Sequence, residues 1–167
     1  MYNQLTQKDI DDMEKEIEER KVVIRPKLLE AVKEARAQGD LSENFEYYAA
    51  KKEKNANESR IRFLERMIKT AEVIDDTSAS DEVGINDTVT VKFEEDGTQD
   101  SFTIVSTMRG DSLKKLISFE SPIGKVLLGH KVGDRVEVTV NKDYSYYVQV
   151  MAISKDNLGE SATIRSF

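Results

Sequence analysis

The chain of 167 residues contains no cysteine and no tryptophan, one histidine, two prolines and eight glycines. Each scarcity excludes something. Without cysteine there are no disulfides, no thiolate metal sites and no thiol nucleophile. With His130 as the single histidine, a multi-histidine metal site is impossible and a histidine-based triad has one candidate. No apolar run approaches the roughly 18–20 residues of a membrane span, and residues 1–20 are acidic, unlike a secretory signal. The expectation is a cytoplasmic protein with no membrane partner. The 25 basic and 32 acidic side chains leave a net charge of −7. A protein that coats nucleic acid by bulk attraction needs the opposite sign. The charge is uneven, however. Residues 1–20 hold 3 basic and 7 acidic groups, and residues 21–72 hold 12 and 9. An acidic body with one mildly basic segment fits a protein partner plus a focused phosphate contact.

Hydrophobic residues make up 38% of the chain and charged ones 34%. That balance suits a long exposed helical element better than one thick core. Residues 8–75 contain only Gly39 and Pro26 as breakers. Ile10, Met13, Ile17, Ile24, Leu28, Val32 and Ala35 recur at near-heptad spacing, which predicts a helix. Pro26 should kink it. A second stripe, Phe45, Ala49, Lys52, Ala56, Ser59 and Phe63, is weak in its middle. Ile61, Leu64, Ile68 and Ala71 form a firmer one. Gly39 suits a helix end. The reading is an antiparallel coiled-coil hairpin over residues 1–76, with arms of about 45 Å and a tip at 39–44.

After Asp75 the period changes. Residues 77–82 read as a polar linker. Thr88–Phe93 alternates with period 2, as a half-buried strand does. Segments 102–105, 116–119, 135–140 and 146–150 read as further strands, and Ser121-Pro122 as the cap and first residue of a short helix. The class is α+β: a helical hairpin, then a small, mostly antiparallel sheet domain with one short helix over 83–154. The polar stretch 155–167 is expected to be a flexible tail.

The informative stretch is Gly39-Asp40-Leu41-Ser42-Glu43-Asn44-Phe45-Glu46-Tyr47-Tyr48. Asp40 and Glu43 lie three apart at the tip, and two readings stand side by side. Asp-x-x-Glu before a helix is a capping box. Two carboxylates are also hard oxygen ligands suited to Mg²⁺. Phe45 and Tyr48 are read as filling between the helices, with base stacking as the other reading. His130 is read as a surface residue at a helix end.

This string resembles the Gre family of bacterial transcript-cleavage factors, of the GreA/GreB type. The family's tip pattern, Gly-Asp-Leu-x-Glu-Asn-x-Glu-Tyr, is matched at Gly39, Asp40, Leu41, Glu43, Asn44, Glu46 and Tyr47. Arg25-Pro26, Val73-Ile74-Asp75 and Ile117–Gly124 extend the likeness to about residues 1–153. The resemblance implies an FKBP-like C-terminal domain that binds at the rim of the RNA polymerase secondary channel. The hairpin would carry its tip to the polymerase active centre. There Asp40 and Glu43 would help hold a Mg²⁺ shared with the polymerase and a water, so that the polymerase cleaves its own backtracked RNA near the 3′ end. By the same resemblance Arg36 and Lys51 belong to a basic patch on the RNA. Lys52 could join it, or be a solvated face with ion pairs. Gly39, Asn44 and Tyr47 shape the tip, and Ser121 and Pro122 touch the polymerase. The expectation is a factor rather than an enzyme, with no tightly bound cofactor of its own and no small-molecule substrate. A Gre-like channel-binding inhibitor of the polymerase is the alternative. The FKBP-like fold does not by itself carry prolyl-isomerase activity.

Overall fold

The computed structural model describes residues 3–39, 44–156, 158–159 and 162–165. The chain divides into two compact units. One is residues 8–72; the other joins the residues up to Gln7 with those from Val73 onward. The boundary therefore differs slightly from the expected 1–76 hairpin. Within the second unit, Ile74 N–H donates to the Leu5 carbonyl at 2.9 Å, tying the segment before the hairpin to the one after it. These segments are the short strands β1 (Gln4–Leu5) and β2 (Glu72–Val73).

The first arm of the hairpin is α1 (Gln7–Glu19), a π-helical turn (Arg20–Ile24) and α2 (Arg25–Arg36). The expected interruption at Pro26 takes the form of that turn. Proline cannot donate to the carbonyl four residues back, and its ring crowds it. The chain widens just upstream, where Arg25 N–H reaches the carbonyl of Arg20, five residues back. Pro26 then sits in the first turn of α2, where a missing N–H costs nothing.

The second arm is the 25-residue α3 (Phe45–Lys69). Its buried positions are Ala50, Asn57, Ile61 and Leu64, spaced 7, 4 and 3. This corrects the stripe through Phe45, Ala49 and Lys52: Phe45, Ala49, Lys52, Ala56 and Ser59 are all exposed. Ile61 and Leu64, with Met13 of α1, carry the apolar packing. Each such side chain contributes roughly 1.5–3 kcal/mol on burial. Midway along, the seam turns polar. Asn57 is only 4% exposed and accepts from Arg20 Nη1 at 2.9 Å. Glu16 accepts from both Arg20 and Arg60 at 2.7 Å. Arg25 grips Glu58 with two bonds of 3.0 and 2.8 Å.

The second unit is built on a five-stranded sheet of order β5-β4-β3-β7-β6, with β3 (Thr88–Phe93), β4 (Gln99–Val105), β5 (Leu116–Ser118), β6 (Arg135–Asn141) and β7 (Tyr144–Ser154). The ladders are antiparallel except β4–β5, which run parallel. The sheet is thus mostly antiparallel, as expected, with one parallel edge. The connection 106–115 is a crossover of two 3₁₀ turns rather than a hairpin, so β5 returns in the same direction as β4. Val89, Val91, Val136, Val138, Val148 and Val150 point into one core with Ile104 and Leu127. Leu127 comes from α4 (Pro122–Leu127), the single short helix.

The polar linker 77–82 is held to this unit, and one further expectation is corrected here. Glu82 bridges to Lys131, and Lys155 Nζ donates to the carbonyls of Ala79 and Glu82 at 3.3 and 2.8 Å. The described tail residues are docked, not flexible. Ala162 and Ile164 are buried, Arg109 Nη1 donates to the Ala162 carbonyl at 2.6 Å, and Arg165 N–H donates to the Met108 carbonyl at 2.8 Å. Apolar side chains hidden among polar neighbours gave the tail no readable period.

Candidate functional site at the hairpin tip

The tip is assembled from the end of α2 and the start of α3. Helix α2 stops at Arg36, and Ala37 caps it in a helical conformation with its N–H on the Lys33 carbonyl. Gly39 follows with φ +121°. A Cβ there would meet nothing within 4 Å, so backbone conformation alone favours glycine. It acts two residues beyond the cap, not directly after the helix as expected.

Asp40 and Glu43 lie outside the described residues. The structure still bears on one reading of them. Helix α3 begins at Phe45, and its N-cap is Asn44, whose Oδ1 accepts the Tyr47 N–H at 3.0 Å. The capping-box reading, with Asp40 as N-cap and Glu43 at the third helical position, falls on residues outside those described; the cap of α3 itself is Asn44. Asn44 does more. Its Nδ2 donates to the Ala35 carbonyl at 2.6 Å, linking the start of one arm to the end of the other.

Tyr47 is held between cations. The Arg36 guanidinium lies 5.5 Å from its ring centroid and donates to its hydroxyl at 3.5 Å, and Lys51 Nζ lies 6.0 Å from the ring on the same helix. The Arg36 hydrogen bond is the main cause that holds the Tyr47 phenol below its usual pKa. Slight desolvation opposes it, and the charges of Lys51, Arg36 and Lys54 assist. Tyr48 meets Tyr47 edge-on with centroids 5.6 Å apart. Arg36, Asn44, Tyr47 and Lys51 thus form one cluster, and Lys52 is exposed nearby.

Phe45 and Tyr48 are not interhelical filling. They are 84% and 51% exposed, on the side of α3 turned away from its partner arm. The signal was present in the sequence: stepping back by heptads from Leu64 lands on Asn57 and Ala50, which leaves Phe45 and Tyr48 off the seam. The weak Ala and Asn of that seam concealed it.

Ser121 and Pro122 belong to the second unit and do not join the tip cluster. Ser121 Oγ accepts from Gly124 N–H at 3.1 Å and donates to the Ser118 carbonyl at 2.6 Å, as an N-cap should. Pro122 is exposed at the first helical position. His130, as expected, follows the helix end, with Nδ1 2.9 Å from Asp134.

The described fold is a helical hairpin with Arg36, Asn44, Tyr47 and Lys51 clustered where its arms approach the turn, joined in sequence to a small mixed-sheet unit. Residues 3–73 match the family described as "Transcription elongation factor, N-terminal", and residues 78–155 match "Transcription elongation factor, GreA/GreB, C-term". The chain belongs to the GreA/GreB family of transcription elongation factors. It is 43% identical over 154 residues to transcription elongation factor GreA of Streptococcus agalactiae, covering 92% of this chain and 96% of that one. It is also 43% identical over 141 residues to GreA of Mesomycoplasma hyopneumoniae, covering 84% and 88%. Among solved structures, the GreA factor homolog Gfh1 of Thermus thermophilus aligns over 90% of this chain and 97% of that one, with 26% identity and a TM-score of 0.41. Among the described residues no helix is long and apolar enough to cross a membrane.

Proposed function

We propose that this chain acts in the cytoplasm on RNA polymerase, entering its secondary channel and stimulating the polymerase's cleavage of backtracked RNA near the 3′ end. The protein is a donor of ligands, not a nuclease. Asp40 and Glu43 are the residues that would hold a Mg²⁺ shared with the polymerase, and as hard carboxylate oxygens they suit that ion. When bound, the cation activates a water and steadies the charge that develops on the phosphate. Two carboxylates on a turn are too few to bind Mg²⁺ firmly alone, so the free protein should be inactive.

The observation that carries this reading is the cap of α3. Because Asn44 satisfies the start of α3, that helix does not need the acidic pair as its cap, which supports reading the pair as ligands. Arg36 and Lys51, arranged around Tyr47, supply positive charge where the two arms approach the turn, and RNA phosphates would lie there. Ser121 and Pro122 are the corresponding contact of the second unit with the polymerase. The inhibitor reading is not favoured: the relatives at 43% identity carry the GreA name.

The test is RNA cleavage in a stalled, backtracked elongation complex with Mg²⁺. Wild type is compared with Asp40→Asn/Glu43→Gln at saturating protein, and polymerase binding is measured separately. Stimulation by wild type that the double substitution abolishes, with binding retained, supports the proposal. Equal stimulation by both proteins would remove the carboxylates from the mechanism.

A further inference from the structure

A lone exposed phenylalanine needs no explanation. Phe45 is not alone. At 100° per residue, Phe45, Tyr48, Lys52, Arg62, Arg66 and Lys69 fall on one face of α3, and all six are exposed. Of the helix's carboxylates, Glu46 and Glu53 fall on other faces, while Glu58 and Glu65 border this one and are drawn into ion pairs with Arg25 and Lys21 of the first arm. One face therefore carries two aromatic rings at the tip end, then four cations and no acid. The backbone of Phe45 is set by its place directly after the Asn44 cap, and the Tyr48 ring is braced edge-on by Tyr47, itself set between Arg36 and Lys51.

Aromatic faces followed by spaced cations are what a single nucleic-acid strand requires. Bases stack on the rings and phosphates follow the charges. Every base has a stacking face, so such a platform tolerates any sequence. A protein surface would instead be expected to meet these cations with its own carboxylates.

We propose that Phe45, supported by Tyr48, stacks on an unpaired base at the 3′ end of the backtracked RNA and orients the adjoining phosphodiester for cleavage. The inference rests on the cleavage reading above and extends it to a positioning residue. Phe45 acts on the RNA's orientation, not on the reacting atoms. Its exposure means that truncation should leave the fold intact.

The experiment uses the full chain on backtracked complexes at saturating protein. It compares wild type, Phe45→Ala and Phe45→Trp on RNA with a normal or an abasic 3′-terminal nucleotide. On normal RNA, Phe45→Ala should slow cleavage about tenfold, while Phe45→Trp keeps the wild-type rate. On abasic RNA, wild type should fall to the Phe45→Ala rate, and the substitution should cost nothing more. Affinity for the polymerase should be unchanged throughout. An unaltered rate for Phe45→Ala on normal RNA overturns the proposal. So does an equal loss on both RNAs, which would make Phe45 a contact with the channel wall. If wild type fails to stimulate cleavage at all, the function reading falls and this inference with it. If wild type stimulates and Phe45→Ala is indistinguishable from it, this inference falls alone.

Discussion

Lys155 Nζ lies 2.6 Å from Asp87 Oδ2, and Asp87 is wholly buried. The same carboxylate accepts the N–H groups of Gly84 and Asp156 at 2.6 and 2.9 Å. One acid thus gathers the start of the sheet unit and the end of its last strand. Replacing Lys155 with methionine strips the counter-charge from a buried carboxylate, which costs up to about 3 kcal/mol even with both N–H donors kept. Thermal denaturation should show the loss. Asp87→Asn together with Lys155→Met should recover part of it. An unchanged melting temperature for Lys155→Met would mean that water replaces the ammonium without cost.

The Asn44 side chain offers a second test, because its two ends do different work. Asn44→Ala loses both the cap and the link to the Ala35 carbonyl, and should destabilise the hairpin by about 1–2 kcal/mol. Asn44→Asp keeps an acceptor for the Tyr47 N–H but loses the donor to Ala35. Helicity should survive in the aspartate variant while cleavage stimulation falls, if the clamp between the arms sets the tip. Equal stimulation by wild type and Asn44→Asp would show that the cap alone suffices.

The polar seam should make the hairpin acid-sensitive. Burial by itself would raise the Glu16 carboxyl, but hydrogen bonds from Arg60 and Arg20, with their charges, outweigh it and hold it below the ordinary 4.5. The Arg25 hydrogen bond lowers Glu58 in the same direction. A carboxylate with a depressed folded pKa stabilises above its unfolded pKa and loses that contribution as the pH falls through the folded value. Hairpin stability should therefore hold from neutral pH to about 4.5 and decline below it. Urea titrations followed by helical circular dichroism across this range would read it. Arg20→Met/Arg60→Met should flatten the dependence. In the same assay Asn57→Leu, which removes the acceptor of Arg20 Nη1, should cost about 1–3 kcal/mol at neutral pH.

Gly124 is fixed by space rather than by conformation. A Cβ there would collide with the Ser118 carbonyl oxygen and press on Ser121 Oγ. Gly124→Ala should destabilise the sheet unit by about 1–3 kcal/mol, and Ser121→Ala by about 1 kcal/mol through the lost cap. The two side by side separate fold from function at Ser121. If Ser121→Ala weakens polymerase binding while Gly124→Ala, at comparable stability, does not, Ser121 touches the partner. Parallel loss of binding in both would assign it to the cap alone.

Much of this architecture was legible in residue order. Thr88–Phe93 alternates because its Val residues enter a core on one side only, and Ser121-Pro122 announced α4 through cap chemistry that acts within four residues. What escaped was set by distant partners. The seam of α3 passes through Ala50 and Asn57, whose hydrophobicity is too low to reveal a buried face, so a nearby stripe of exposed residues was read in its place. Asn57 is buried because Arg20, 37 residues away, supplies its hydrogen bond. The parallel run of β5 depends on a crossover whose turns have no strong signature. At the tip, residue order did not reveal that Asn44 caps α3, because Asp40 and Glu43 offered a cap pattern of their own a few residues earlier.

The π-helical turn at Arg20–Ile24 gives the first arm a phase slip. A continuous α-helix advances 100° per residue, and the wider turn absorbs one residue without advancing the helical face. The azimuth of Arg36 against the Tyr47 ring is thus decided by a count of residues made more than ten positions upstream. Deleting Val22 or Val23, both exposed, would close the bulge and keep that azimuth, whereas deleting one residue from the α-helical turns after Ile24 would rotate everything beyond it by about 100°. The guanidinium would then swing off the tyrosine while the tip's own sequence stayed intact. The hairpin is in this sense indexed: its turn carries the chemical groups, and a bulge in the shaft decides which way they face.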